Sequence, residues 1–339
     1  MKNILFIGSF LSSKTGTISV VERLGKIWNK KYKLKIKYSS GKKNKIFRLI
    51  NIIYDVLTFK GDLVHIDVFS GFSLVIPYFA TFISYLKSKE IYLNLHGGGI
   101  PYHYKKKKFI YDYLFKFSNK ILSPSKFIIS NFPKKYKIDY LPNPIDLNLF
   151  KPPASSRSRA NLLWVRAFSK IYNPEIPINA LKILIIKYPN LKLTMVGPDK
   201  GELSKCKKLI QKLKLENNIN ILGHIDHYQL PEIYKNHYIF LNTTSFESFG
   251  NALCEAAACK LVIISTMVGE IPLTWEDNKN IIFFKNKDYF DLASKIEFVL
   301  SNPISSELIS KESSKLIQCY SIDVISKKWI DYLNQGVNS

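Results

Sequence analysis

Acidic residues are scarce in this chain. Only 26 Asp and Glu stand against 50 Lys and Arg, leaving a formal net charge of +24 over 339 residues. Cysteine is scarcer still, and its four positions, Cys206, Cys254, Cys259 and Cys319, have neither paired nor metal-ligating spacing. That argues against a disulfide framework and fits free, mostly buried thiols in a reducing cytosol. No apolar run reaches the ~18 residues of a spanning helix. The most apolar stretch, Leu74 to Leu86, has 13 and reads as a core helix. The opening Met1 to Phe10 lacks a small-residue cleavage site and reads as a buried strand entering a glycine loop, not as a signal peptide. No Gly-x-Gly-x-x-Gly follows an expected strand, which disfavours a dinucleotide-dependent dehydrogenase. The loop from Gly8 to Gly16 also lacks the Gly-Lys-Ser/Thr of a Walker loop. Internal repeats and low-complexity tails are missing as well.

The surplus of lysine is unevenly spread. Basic residues crowd Lys26 to Arg48, and a second cluster, Tyr102 to Tyr111, mixes four consecutive lysines with aromatics. Solvated faces would explain either cluster. No nucleic-acid-binding motif accompanies them, so no nucleic-acid partner is expected. An anionic membrane surface attracts such segments at about 1 kcal/mol per basic residue, and peripheral membrane contact is the preferred functional reading.

Strand-like and helical runs alternate along the whole chain. Ile4–Ile7, Leu63–Ile66, Ile91–Leu95 and Ile121–Ser123 read as one parallel sheet. Asn161–Val165, Leu191–Val196, Ile219–Leu222, Tyr238–Leu241 and Leu261–Ile264 read as a second. The expected class is α/β, with two Rossmann-like domains facing a cleft and ligands at the carboxyl ends of the strands. Residues 1–150 form the first domain in this reading, 151–160 a Pro- and Ser-rich linker, and 161–315 the second domain. Residues 316–339 supply a terminal helix with Val324, Trp329 and Tyr332 as its apolar points.

The most informative segment is Thr243 to Ala258. An apolar run precedes it and a helix-prone run from Asn251 follows, which puts Glu247 in a strand-to-helix loop and Glu255 about one turn inside the helix. Gly250 lets the backbone turn, and the helix start offers unpaired N–H groups and partial positive charge, which suit a phosphate. Eight helical residues span ~12 Å, roughly the length of a sugar–diphosphate–ribose unit. Two glutamates at this spacing are, by themselves, more often solvated surface groups.

The wider pattern decides between these readings. Glu247-Ser-Phe-Gly250, then Glu255-Ala-Ala-Ala-Cys259, Leu261–Ile264 and Gly269-Glu-Ile-Pro272 resemble the donor-site signature of retaining glycosyltransferases of the GT-B fold, the family-4 (glycosyl transferases group 1) type. Lys260 and Val262 stand where that family usually has Gly and Pro. Leu141 to Phe150 resembles the element that ends its first domain, and Ser123-Pro-Ser125 a turn within it. The resemblance implies that Glu247 contacts the donated sugar and Glu255 the ribose, with Phe249, Gly250 and Asn251 beside the phosphates. It also implies that the terminal helix crosses back onto the first domain.

Other groups join this expected site. Arg166, after the strand Leu162–Val165, offers a planar fork of donors to phosphate oxygens, and Lys170 a compact charge. Val165 replaces the family's usual glycine, and the lysine comes four positions after the arginine instead of five. Fixed cations there would stabilise the charge gathering on a departing nucleoside diphosphate. His96 precedes three glycines at a strand's carboxyl end, where the family places a histidine near the reacting sugar. Gly16 is the expected point of backbone approach in the first domain. Gly197, Gly223 and His224 end two strands of the second, where the family binds the nucleotide. His224 and His227 are spaced i, i+3, but no third zinc ligand is evident. No two aspartates are separated by one residue, so the Asp-x-Asp metal site of the other major glycosyltransferase fold is missing and a metal-independent reaction is favoured.

The resulting expectation is a retaining, metal-independent, hexosyltransferase-type enzyme with no cofactor. It would move a sugar from a nucleoside-diphosphate-sugar to a hydroxyl of a glycan or lipid-linked saccharide, in cell-surface polysaccharide biosynthesis. Its expected place is the cytoplasm, peripheral on the inner face of the plasma membrane. A nucleotide-sugar epimerase of the same architecture and a non-catalytic subunit of a glycan assembly complex are the alternatives.

Overall fold

The computed structural model describes residues 3–8, 10, 22, 24–25, 27–29, 34–39, 44–69, 74–154 and 156–335. The chain divides into two compact units, Met1–Pro144 with Ile322–Ser339, and Ile145–Ser321. Each is built on one six-stranded parallel sheet.

The first sheet contains β1 (Asn3–Ile7), β2 (Lys35–Ser39), β3 (Leu63–Val68), β4 (Glu90–Leu95), β5 (Lys120–Ser123) and β6 (Ile138–Tyr140), ordered β2-β1-β3-β4-β5-β6. The second contains β7 (Asn161–Val165), β8 (Lys192–Val196), β9 (Ile219–Gly223), β10 (Ile239–Asn242), β11 (Val262–Thr266) and β12 (Ile282–Phe284), ordered β12-β11-β10-β7-β8-β9. In both, the order reverses beside the unit's first strand, between β1 and β3 and between β7 and β10. The carboxyl ends at such a reversal diverge and leave a crevice for a ligand.

Thirteen α-helices have both ends within the described residues. They are α1 (Lys45–Thr58), α2 (Val75–Leu86), α3 (Ile100–Lys106), α4 (Lys108–Lys116), α5 (Lys126–Ser130), α6 (Glu175–Leu184), α7 (Leu203–Leu213), α8 (Leu230–Lys235), α9 (Asn251–Ala258), α10 (Ile271–Thr274), α11 (Tyr289–Ser301), α12 (Pro303–Leu316) and α13 (Ile322–Gln335). Side-chain caps fix several starts. Asn44 accepts from the Ile46 and Phe47 amides, Ser125 from Ile128, and Asp288 from Asp291; such caps satisfy N–H groups that the first turn leaves open.

Strands covered by helices on both faces are apolar throughout rather than alternating. β3 and β11 are buried at every position. One core gathers Leu5, Ile66, Leu93 and Leu114 in the first unit, and another gathers Trp164, Leu193, Leu241 and Ile264 in the second.

Three strands lie outside the sequence expectations, β2, β6 and β12, and each is a sheet edge. Two helices also differ from their sequence reading. Leu74–Leu86 is helical as expected, but not a core helix. Its outward face, Val75, Tyr78, Phe79, Phe82, Tyr85 and Leu86, is exposed, while the small Ala80, Thr81 and Ser84 point inward. The face that packs on the sheet has room only for small groups, so the large ones turn outward. In α13 the buried points are Ile325, Trp329 and Leu333, whereas Val324 is 38% exposed. Its tyrosine, Tyr332, accepts through its carbonyl from the Tyr92 hydroxyl at 3.2 Å.

Candidate functional site

The candidate residues of the second unit gather along the carboxyl edge of its sheet. Arg166 follows β7, Gly197 follows β8, and Gly223 closes β9. Glu247 lies on the loop between β10 and α9. β7 and β10 are the pair at which the strand order reverses, and they join through Ile239↔Leu162 and Phe240↔Leu163.

Arg166 and Glu247 meet there. Arg166 Nη2 donates to Glu247 Oε2 at 2.5 Å, and both side chains are 12% exposed. Arg166 Nε and Nη2 also donate to Asn242 Oδ1, at 3.2 and 3.0 Å. Asn242 is fully buried and donates in turn to Ser265 Oγ at 2.8 Å. Glu247 Oε1 accepts from the Ser248 amide at 3.1 Å. Each partner of this nearly dry pair is therefore also hydrogen-bonded elsewhere, which offsets the cost of removing charge from water. Arg166 Nη1 has no partner among the described residues, so one edge of the fork remains for an anion.

Main-chain seating places this pair. Gly269 has φ +59, and a Cβ there would lie 2.0 Å from the Glu247 carbonyl oxygen. A Cβ on Gly197 (φ +149) would lie 1.8 Å from the Arg166 carbonyl oxygen. Any side chain at either position would displace the backbone behind the ion pair. Polar cross-links complete the frame. Thr243 Oγ1 accepts from Trp164 Nε1 at 3.0 Å and donates to the Tyr172 carbonyl at 2.6 Å. Asn173, buried with φ +45, donates to the Thr243 carbonyl at 2.7 Å and to Ser245 Oγ at 2.9 Å.

Glu255 is the centre of a second buried group. It lies on the second turn of α9 at 6% exposure. His227 Nε2 is 2.8 Å from its Oε1, and the Tyr234 hydroxyl donates to its Oε2 at 3.2 Å. Phe150 packs edge-on against both the His227 and Tyr234 rings. Burial, then the Glu255 charge, holds the Tyr234 hydroxyl well above its ordinary pKa. The Cys254 thiol is pushed well above its usual range by burial, then by Glu255 and Glu247, so one electrostatic neighbourhood contains both carboxylates.

α9 begins at Gly250 (φ +91) with no side-chain cap. Its other end is held by Arg157, whose Nη1 donates to the His237 carbonyl at 2.9 Å and Nη2 to the Cys259 and Lys260 carbonyls at 3.0 and 2.5 Å. Phe249 is buried against Tyr320, and Asn251 is the first residue of the helix.

Other candidates stay apart from these groups. Lys170 opens the 3-10 turn Lys170–Tyr172 as an exposed side chain, with no ion pair among the described residues. His224 is half-exposed, 3.6 Å from Asp226. Gly223 has φ +69 with open space before it. Gly16 lies outside the described residues. Among the described residues no three His, Cys, Asp or Glu groups converge as a metal site would require.

In the first unit, His96 follows β4 with its ring 17% exposed, stacked on Phe69 and 3.2 Å through Nε2 from Asp67 Oδ1. Asp67 is itself buried near the end of β3, where a Cβ on Gly8 would lie 2.5 Å from its Oδ2. Behind it His65 is wholly buried between Phe6 and Trp329, with neither ring nitrogen hydrogen-bonded. Burial pushes the His65 pKa down to about 4, opposed by Asp67 and reinforced by His96.

Sequence reasoning missed Asn242, Tyr234, Asp67 and the role of His227. Asn242 and Asp67 did leave a trace, as polar residues at the ends of apolar strands. Tyr234 and His227 come from a separate helix and loop, and no local spacing marks them.

Residues 148–316 match the glycosyl transferases group 1 family. The chain is 24% identical over 199 residues to the phosphatidylinositol N-acetylglucosaminyltransferase gpi3 subunit of Schizosaccharomyces pombe, covering 58% of this chain and 41% of that one. It is 30% identical over 142 residues to the alpha-monoglucosyldiacylglycerol synthase of Acholeplasma laidlawii, covering 41% and 34%. The matched stretches thus span well under half of these curated relatives' length. The crystal structure of Anabaena Alr3699/HepE in complex with UDP superposes with a TM-score of 0.77 at 16% identity, covering 99% of this chain and 100% of that one. At that identity the likeness shows the fold alone, and it is the GT-B fold of two parallel α/β units. Through residues 148–316, on that fold, the chain belongs to the glycosyl transferases group 1 family.

Proposed function

We propose that this protein is a retaining, metal-independent, hexosyltransferase-type enzyme. It transfers a sugar from a nucleoside-diphosphate-sugar to a hydroxyl of a glycan or lipid-linked saccharide, at the cytoplasmic face of an anionic membrane, in cell-surface polysaccharide biosynthesis. The observation that carries this reading is the Arg166–Glu247 pair at the strand-order reversal, with Arg166 Nη1 left without a partner among the described residues.

The roles follow from that geometry. Arg166 Nη1 and the start of α9, at Gly250 and Asn251, take diphosphate oxygens, and the exposed Lys170 is a further cation of the second unit. A carboxylate has about four acceptor directions. Glu255 spends two on His227 and Tyr234, which fix its rotamer and leave the others for ribose hydroxyls. Glu247 is fixed in the same way by Arg166 and the Ser248 amide and addresses the sugar. Gly197, Gly223 and His224 lie at the nucleotide end, with Phe249 packed beneath the loop. In the first unit, His96, stacked on Phe69 and beside Asp67, and Gly16 are the residues assigned to the reacting sugar and acceptor.

In the transfer, the bond from the anomeric carbon to phosphate breaks as the acceptor oxygen bonds on the same face. The acceptor proton passes to the departing phosphate oxygen. Arg166 then meets more charge on the leaving group than it met in the bound donor, and that difference is what lowers the barrier. The sequence has no Asp-x-Asp pair to hold a divalent ion, in keeping with this cation-based scheme.

The test is thermal unfolding with UDP, GDP, ADP, CMP and NAD, beside Arg166→Ala and Glu255→Ala. A diphosphate at 100 times its Kd stabilises by about 2.7 kcal/mol, and that gain should vanish in both variants. Analysis of the product anomer then checks retention. Stabilisation by NAD alone, or by no nucleotide, refutes the reading.

A further inference from the structure

The first unit presents an apolar surface that its fold does not use. On α1, Phe47, Ile50, Tyr54 and Leu57 recur at helical spacing and are 64, 57, 63 and 50% exposed. α2 lies against α1, and its outward face is wholly apolar. The surface continues onto α4 and its C-cap, where Tyr113 meets Tyr78 at 4.6 Å and the capping Phe117 meets Tyr85 at 4.5 Å between ring centroids. These helices follow β2, β3 and β4 in turn. In parallel β-helix-β units such helices run back beside the sheet, so their first turns lie at the carboxyl edge that carries His96.

A helix of the second unit, α7, does the reverse. α7 buries Cys206 and Ile210 and exposes Lys205, Lys207, Lys208 and Lys212. A run of adjacent helices with apolar faces outward is more than the scattered apolar groups that any surface carries.

Charge identifies what covers this face. α2 has no ionisable residue besides its tyrosines, and Lys87 follows it as an exposed side chain. Lys105 to Lys108, all exposed, join α3 to α4, and Lys116 is exposed at the end of α4. From α1 to α4 the acidic residues within the helices are Asp55 and Asp112. Asp55 is buried and held by Lys37 at 2.7 Å and Ser39 at 2.6 Å, while Asp112 accepts from the Tyr136 hydroxyl. The face is thus apolar, rimmed by cations, with its acids already engaged by partners. Among the described residues no helix is long and apolar enough to cross a membrane.

We propose that the α1–α2–α4 face inserts its aromatic and aliphatic side chains into an anionic phospholipid bilayer, with the lysine rim on the headgroups. This deepens the membrane contact of the proposed function, on which it rests. The apolar face provides the anchor, and the basic residues select the lipid charge. The consequence for the reaction is that the carboxyl edge of the first sheet lies at the headgroup level, where a lipid-linked acceptor presents its hydroxyl.

The experiment is vesicle flotation of the full chain on phosphatidylcholine with and without phosphatidylglycerol. Wild type is compared with Phe79→Gln/Phe82→Gln and with a control in the second unit, Phe298→Gln. A Phe82→Trp chain read with brominated lipid adds a depth measurement, because all four native tryptophans are buried. The expected result is a loss of partitioning of at least about tenfold in the double variant, none in the control, and quenching of the introduced tryptophan. Binding that disappears in high salt and is indifferent to Phe79 and Phe82 overturns the proposal. So does a concentration-dependent dimer in solution that the double variant abolishes. Nucleotide-induced stabilisation, read in the same variants, reports separately on the donor site, so failure of either proposal is recognised without the other.

Discussion

Lowering the pH should destabilise the first unit through His65. The imidazole is wholly buried, packed on Phe6 and Trp329 at 4.7 and 5.1 Å, and neither nitrogen has a hydrogen-bond partner. Its pKa falls to about 4 from an ordinary 6.5, chiefly through burial. Above pH 6.5 the ring is neutral in both folded and unfolded chains, and the full stability is present. As the pH drops below 6.5 the unfolded chain takes up a proton that the folded chain refuses. Stability is therefore lost from pH 6.5 down to about 4, by about 1.4 kcal/mol per pH unit and about 3 kcal/mol in all. At pH 5 about 2 kcal/mol of this should be gone. Urea unfolding at pH 7.5 and pH 5 in a Trp164→Phe/Trp275→Phe background, where fluorescence comes from Trp28 and Trp329 alone, reads the relevant unit. His65→Leu removes the titrating group at similar volume, so its stability should fall by about 2 kcal/mol less than wild type over that interval. Equal losses in the two chains, or an NMR titration of His65 with a midpoint near 6.5, would refute the reasoning.

Gly269→Ala should lower the stability of the second unit by roughly 2–4 kcal/mol, since it combines a left-handed backbone with a contact against the Glu247 carbonyl. Gly201→Ala, at φ +100 with open space before it, should cost only about 1 kcal/mol; similar losses in both, measured by denaturant unfolding, would contradict the seating argument. Tyr234→Phe removes one donor to Glu255 and should cost about 1–2 kcal/mol in the same assay. In isothermal titration it should also weaken nucleoside-diphosphate binding, and unchanged affinity would separate Glu255 from the donor. Arg166→Lys keeps the charge but loses the fork that reaches Asn242 and Glu247 together, so diphosphate affinity in the same titration should fall at least about tenfold.

The sequence was most legible where one physical effect dominates. Nine strands were readable because burial on both sides makes them predominantly apolar runs, as in Ile4–Ile7 and Leu261–Ile264. The three that were not, β2, β6 and β12, are edge strands. β2 alternates Lys35 and Lys37 with Ile36 and so resembles part of a basic cluster, while β6 and β12 have only three residues each. Leu74–Leu86 shows the limit from the other side. Hydropathy identified an apolar helix but could not say which way the apolar face turned, because that depends on the space left by Ala80, Thr81 and Ser84. In the candidate site, Glu247, Glu255 and Arg166 could be singled out from local patterns and from resemblance. Their contacts with Asn242, His227 and Tyr234 could not, since those join elements far apart in the chain.

Arg157 has a mechanical consequence. It lies in the stretch that leads into β7, and its three carbonyl bonds fasten that stretch to the last turn of the helix that carries Glu255 and to the residues around it. The guanidinium acts as a strain relief. Arg157 lies nine residues before Arg166, so the chain is fastened to the second unit before it enters β7. The Arg166–Glu247 and Glu255 groups thus sit on a frame that is pinned at its point of entry as well as at its strands.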